Sequence, residues 1–120
     1  MSARRRTLGP MAYDEELAER LRQHLAGEAG LSEKSMFGGL AFLINGNMAV
    51  SASGQGGLLL RVEPTQTDEL VGEAGAERFV MRGREMNGWL RVDATALGTD
   101  AKLRQWIAHG VGYARSLPPK

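Results

Sequence analysis

Cysteine is absent from the 120 residues, which excludes disulfides, thiol nucleophiles and thiolate metal sites and fits a reducing compartment. Charge of one sign is not in excess either: Lys and Arg number 15 against 14 Asp and Glu, a formal net charge of +1. Such a balance gives no global field to hold a polyanion, so nucleic-acid contact would need a local patch. No apolar run reaches membrane-spanning length. The basic start, Met1 to Pro10 with Arg4, Arg5 and Arg6, is not followed by an apolar core of signal-peptide length. The expectation is a cytoplasmic protein with no membrane partner.

Catalytic constellations are missing as well. The two histidines, His24 and His109, are far apart in the chain and form no His-x-x-x-His pair, so they read as helix-surface positions and no metal site is expected. Ser35, Ser51 and Ser53 have no base evident beside them. Asp14, Glu15 and Glu16 suit the first turn of a helix, where the dipole favours negative charge, better than acid–base work. The expectation is no enzyme, no catalytic residues and no cofactor.

What is present is a chain of 42% hydrophobic residues, enough for one core. Residues 1–10 read as a disordered extension and 11–120 as the domain, with Met11 a second candidate for the start. The stretch Lys34–Glu63 organises the rest: apolar runs are punctuated by Asn45-Gly46-Asn47 and by Ser53 to Gly57, as in three strands joined by tight turns. In the first, Met36 to Ile44, Gly38-Gly39 marks a bulge, or a place where another backbone or a ligand comes close. In the third, Leu58, Leu60 and Val62 share one face and Leu59 and Arg61 the other. Gly54 to Gly57 lead into a strand rather than a helix, which is not a phosphate loop.

Around this meander, Tyr13, Leu17, Leu21 and Leu25 recur every four residues in a helix from Met11 to about Ala26. After Pro64 a short helix runs to about Ala74, with Thr65 and Asp68 at capping-box spacing. Ala76–Arg82 and Met86–Asp93 read as strands around a Gly83–Glu85 turn. A last helix, capped by Thr99 or Asp100, carries Leu103, Trp106, Ile107, Gly110, Val111 and Ala114 on one stripe up to Pro118-Pro119. The order α-β-β-β-α-β-β-α predicts an α+β, two-layer fold: a five-stranded, mostly antiparallel sheet with helices mainly on one face.

On the opposite face, strand parity collects Leu59, Arg61, Trp89 and Arg91, with Arg82 from the neighbouring strand. Arginines interleaved with tryptophan suit an interface; the same pattern also suits an amphipathic face whose guanidinium stems cover apolar surface. A protein partner or a second copy is the leading expectation for this face. Nucleic acid, held by the same arginines with Arg4–Arg6, is the second. A small-molecule site near Gly38-Gly39 and Gly54–Gly57 is the third.

Met36-Phe37-Gly38-Gly39-Leu40-Ala41-Phe42-Leu43-Ile44-Asn45-Gly46-Asn47-Met48, Gly-Leu-Leu-Leu-Arg-Val at 57–62, Met86-Asn87-Gly88-Trp89 and the end Tyr113 to Pro119 resemble the TfoX N-terminal domain family, over about Met11 to Lys120. The resemblance implies an α+β fold of the same element order, in a group that includes secretion-chaperone-like folds. It also implies a link to bacterial transcriptional regulation of natural competence, although the 120 residues hold no counterpart of the helical C-terminal domain of TfoX. It brings no catalytic residues; Phe37, Gly38 and Gly39 are its motif residues, structural or functional.

Overall fold

The computed structural model describes residues 13–36, 38–73 and 75–120; Arg4–Arg6 and the motif residue Phe37 lie outside them. Helix α1, Glu15–Leu25, is capped by Asp14, whose carboxylate accepts the N–H groups of Glu16 and Leu17 at 2.9 and 3.2 Å. Asp14 thus satisfies two of the donors a helix leaves open at its start. Strands β1 (Leu31–Met36), β2 (Gly39–Ile44), β3 (Asn47–Ala52) and β4 (Leu58–Arg61) follow. A single turn at Pro64–Gln66 leads into α2, Thr67–Val71; then come β5 (Ala76–Met81), β6 (Arg84–Val92) and α3 (Asp100–Ser116). All pairings are antiparallel, in the order β1-β2-β3-β4-β6-β5. Among the described residues no helix is long and apolar enough to cross a membrane.

The sheet therefore has six strands, not five. The expected strand Met36–Ile44 is split: β1 and β2 form a hairpin in which Met36 faces Gly39. Gly38 takes φ 77° in the turn, a conformation glycine adopts without a Cβ penalty. The expected bulge is not at Gly38-Gly39; the irregularity is in β3, where pairing with β2 steps from Phe42–Val50 to Leu43–Met48 and leaves Ala49 extra. At Gly39 the second reading applies, because the backbone of Ala52–Gly54 runs against its α-carbon: a Cβ there would sit 2.9 Å from Gly54 N and overlap the Ala52 carbonyl oxygen.

Two further turns differ from expectation. The β5–β6 turn is Arg82-Gly83, both with positive φ (55° and 77°), a two-residue turn whose twist matches that of the strands. The Thr65–Asp68 capping box does not form, since α2 has no side-chain cap. Thr67 is used otherwise: its hydroxyl donates to Pro64 O at 2.8 Å and accepts the Gly88 N–H at 3.0 Å. That bond holds a long bulge in β6, where pairing with β5 jumps from Leu90 to Met86.

All three helices pack on one side of the sheet. Leu17, Leu21 and Leu25 of α1 and Leu103, Trp106, Ile107, Val111 and Ala114 of α3 meet Leu40, Phe42, Ile44, Val50, Leu58, Leu60, Leu90 and Val92 in the main core. Full burial of each large side chain contributes about 1.5–3 kcal/mol. Gly110 lets α3 sit directly on β3, with Ala49 O and Val50 Cγ1 where its side chain would be. The α1–α3 and α1–β1 seams are pinned by polar contacts: Asp100 pairs with Arg20 at 3.3 Å and meets His24 at 3.5 Å, and Glu33 pairs with Arg22 at 2.9 Å. Hydrogen bonds from Arg20 and then His24 hold the Asp100 carboxyl, and one from Arg22 holds the Glu33 carboxyl, below the usual carboxylate range.

Candidate functional site

The opposite side of the sheet carries a second apolar cluster that no described helix covers. Ala41, Met48, Leu59 and Phe79 are buried in it, and Met36, Leu43, Met86 and Trp89 pack around them. Strand alternation alone would leave these residues exposed on a flat sheet; their burial shows that side chains of neighbouring strands pack over one another on this face. Between Met36, Ser51, Ser53, Leu59, Phe79 and Arg82 lies a hollow of about 150 Å³. Ser53 is committed within it, accepting the Gln55 N–H at 3.1 Å.

The four residues expected on this face occupy three distinct environments. Arg61 and Trp89 face each other across β4 and β6, and the Arg61 guanidinium carbon lies 5.1 Å from the Trp89 ring centroid. It also lies 5.4 Å from the ring of Tyr113, so Arg61 bridges from the sheet to α3, a contact that strand parity could not show. Its Nε is buried without a hydrogen-bond partner. Arg82 is exposed at the rim of the hollow on the β5–β6 turn. Its φ of 55° is a left-handed conformation that costs a side-chain-bearing residue roughly 1–2 kcal/mol.

Arg91 is a structural clamp. Its Nε donates to Gly56 O at 3.1 Å, one terminal nitrogen donates to Gln55 O at 3.2 Å, and the other meets Glu77 Oε1 at 3.3 Å. The planar fork of arginine fits this three-way arrangement and a lysine does not. Arg91→Ala is expected to lower stability by about 1–2 kcal/mol, and Arg91→Lys to recover little of it. Urea midpoints of the three proteins check this; an alanine variant as stable as the parent would refute the clamp.

Of the glycines expected near a small-molecule site, Gly39 and Gly57 are accounted for by backbone contacts, while Gly54 lines the hollow. Space beside Gly39 is filled by the β3–β4 connection, and a Cβ at Gly57 would meet Val92 O at 2.5 Å. His24 sits against Asp100, and the His109 ring lies tilted by 50° with its centre 5.8 Å from that of Trp106; the His24 contact joins residues 76 positions apart, beyond the reach of any spacing rule. Among the described residues no group of three or more His, Asp or Glu is placed to hold a metal ion.

Comparison with known proteins gives one relationship. No curated protein and no solved structure matches the chain, whereas the model of the TfoX N-terminal domain matches residues 23–114. The matched span runs from within α1 to within α3 and contains every strand, the whole second apolar cluster, the main core apart from Leu17, Ala18 and Leu21 of α1, and the Arg61–Trp89–Tyr113 contact. The chain belongs to the TfoX N-terminal domain family.

Proposed function

We propose that this chain is a non-enzymatic interaction module of the cytoplasm that docks a protein partner on the helix-free face of its sheet. The observation that carries the reading is the second apolar cluster: Leu43, Met86, Trp89 and Met36 stand around a buried floor on a side no described helix covers. A contiguous apolar group of that kind, rimmed by charged residues, is the usual mark of a contact surface, and methionines suit a surface that adapts to its partner. An accessory role in transcriptional regulation is the setting proposed for it, and membership of the TfoX N-terminal domain family supports that reading.

The test is capture from native-host lysate, with and without nuclease, by the parent chain and by Leu43→Glu and Met86→Glu, both at half-buried positions of this face. The expected result is a nuclease-resistant protein retained by the parent and reduced about tenfold or more by each variant, equivalent to about 1.4 kcal/mol. Circular-dichroism melts of the variants should stay close to the parent's. Equal retention by folded variants would remove the face from the reading, and retention abolished by nuclease would replace the protein partner with nucleic acid.

A further inference from the structure

We infer that the helix-free face recognises a carboxylate-bearing apolar segment of another protein, and that Arg61 anchors one of its acids; this rests on the proposed function and specifies the chemistry of its partner. The net charge of +1 conceals a segregation of charge between the two sides of the sheet. The register places Lys34 opposite Ala41 and Arg91 opposite Leu59, and Arg84 stands two residues before Met86 on β6, all on the side of the second cluster; Arg61, opposite Trp89, has the same strand parity, and its guanidinium reaches from there to Tyr113 of α3. Among the described strand residues, Glu77 is the one acid the register puts there, and Arg91 already holds it. The pairs Arg20–Asp100, Arg22–Glu33, Arg78–Asp68 and Arg115–Glu28 involve the helices on the other side.

Arg61 is the sharpest part of this pattern. Of the described arginines withdrawn from solvent, Arg20, Arg78 and Arg91 each meet a carboxylate, and Arg61 meets none. The rings of Trp89 and Tyr113 lie against its guanidinium, and its buried Nε is unpartnered. Stacking leaves the in-plane N–H edge of an arginine for hydrogen bonding, and that fork is shaped for a carboxylate. A pre-stacked guanidinium also loses little side-chain freedom when the acid arrives.

Two rival occupants fit less well. Face-to-face pairing of two copies is isologous and would oppose like-charged surfaces. Nucleic acid needs open aromatic faces for bases, yet Phe79 is 7% exposed and Trp89 already carries Arg61.

The experiment titrates the full isotope-labelled chain with three synthetic peptides of equal length and one Leu/Phe pattern that differ only in having Glu, Gln or Lys at the polar positions, and separately with single-stranded oligodeoxythymidine. The expected result is binding of the Glu peptide about tenfold or more tighter than the Gln peptide, with amide shifts on β1, β4 and β6 and a shift of the Arg61 Nε–H signal. Arg61→Gln should erase most of the Glu-over-Gln preference, and Lys34→Ala with Arg84→Ala, both exposed, should reduce it without touching the core. Equal binding of the Glu and Gln peptides on this face overturns the acidic specificity and leaves the docking reading standing. An unchanged preference in folded Arg61→Gln removes the anchor. Oligonucleotide binding in place of peptide, or no probe shifting the face, overturns both.

Discussion

Gly39→Ala is expected to destabilise the chain by about 3 kcal/mol or more, at the upper end of overpacking costs. The new methyl group would point into the β3–β4 connection, overlapping the Ala52 carbonyl oxygen and lying 2.9 and 3.2 Å from Gly54 N and Ser53 C. None of these atoms is the end of a flexible side chain. Relief requires backbone movement, and the same segment is held on its other side by Arg91 through Gly56 O and Gln55 O. Gly38→Ala provides the comparison: its Cβ would have 3.9 Å to the nearest atom, but its φ is 77°, so the cost is torsional and roughly 1–2 kcal/mol. Urea denaturation should rank the parent above Gly38→Ala and Gly38→Ala above Gly39→Ala, with a fall in Tm of roughly 10 °C or more for the last. A Gly39→Ala variant at least as stable as Gly38→Ala would show that the two backbones are not locked together.

The same adjacent glycines show where the sequence was legible and where it was not. Helix stripes were legible, because Leu17, Leu21 and Leu25 and the run Leu103 to Ala114 repeat with the helical period and all are buried. The parity of β4 and β6 was equally readable, since Leu58, Leu60, Leu90 and Val92 enter one cluster and Leu59 and Trp89 the other. Strand β1 was not, because Ser32, Glu33, Lys34 and Ser35 are exposed at the sheet edge and an edge strand need not alternate apolar with polar. Its hairpin is hidden inside an apolar run, where the sign of φ at Gly38 has no sequence marker beyond glycine itself.

The candidate face follows the same division. Alternation assigns Arg61 and Arg91 to one side, but what each guanidinium meets depends on elements remote in sequence. Arg91 reaches Gln55 and Gly56, 36 and 35 residues away, so its place on the face serves the β3–β4 turn first. Arg61 reaches Tyr113 of α3, which depends on where that helix crosses the sheet. The segregation of charge is likewise invisible to a count, because acids and bases cancel in the sum while separating in space.

Gly110→Ala and Gly112→Ala, two residues apart on α3, are expected to change stability in opposite directions. In an exposed helix interior the exchange favours the helix by up to about 1 kcal/mol, because alanine loses less backbone freedom than glycine. At Gly112 nothing lies within 4 Å of the added methyl, so that gain is expected nearly undiminished. At Gly110 the methyl would sit 2.5 Å from Ala49 O, 2.8 Å from Val50 Cγ1 and 3.1 Å from Ala49 C. The carbonyl is backbone, and a valine side chain has little freedom to turn aside. Helix α3 would have to lift from β3, opening contacts of Trp106, Ile107 and Val111 with the core; against the helix gain, the expected net loss is about 2 kcal/mol. The lift would also move Tyr113, three residues on, away from Arg61, 5.4 Å apart in the parent. A denaturation series therefore checks the packing, and the Arg61 Nε–H signal in the same variant checks its transmission: a shifted signal in Gly110→Ala with an unshifted one in Gly112→Ala is expected. Equal stabilities of the two variants would mean that α3 does not rest on β3 at Gly110.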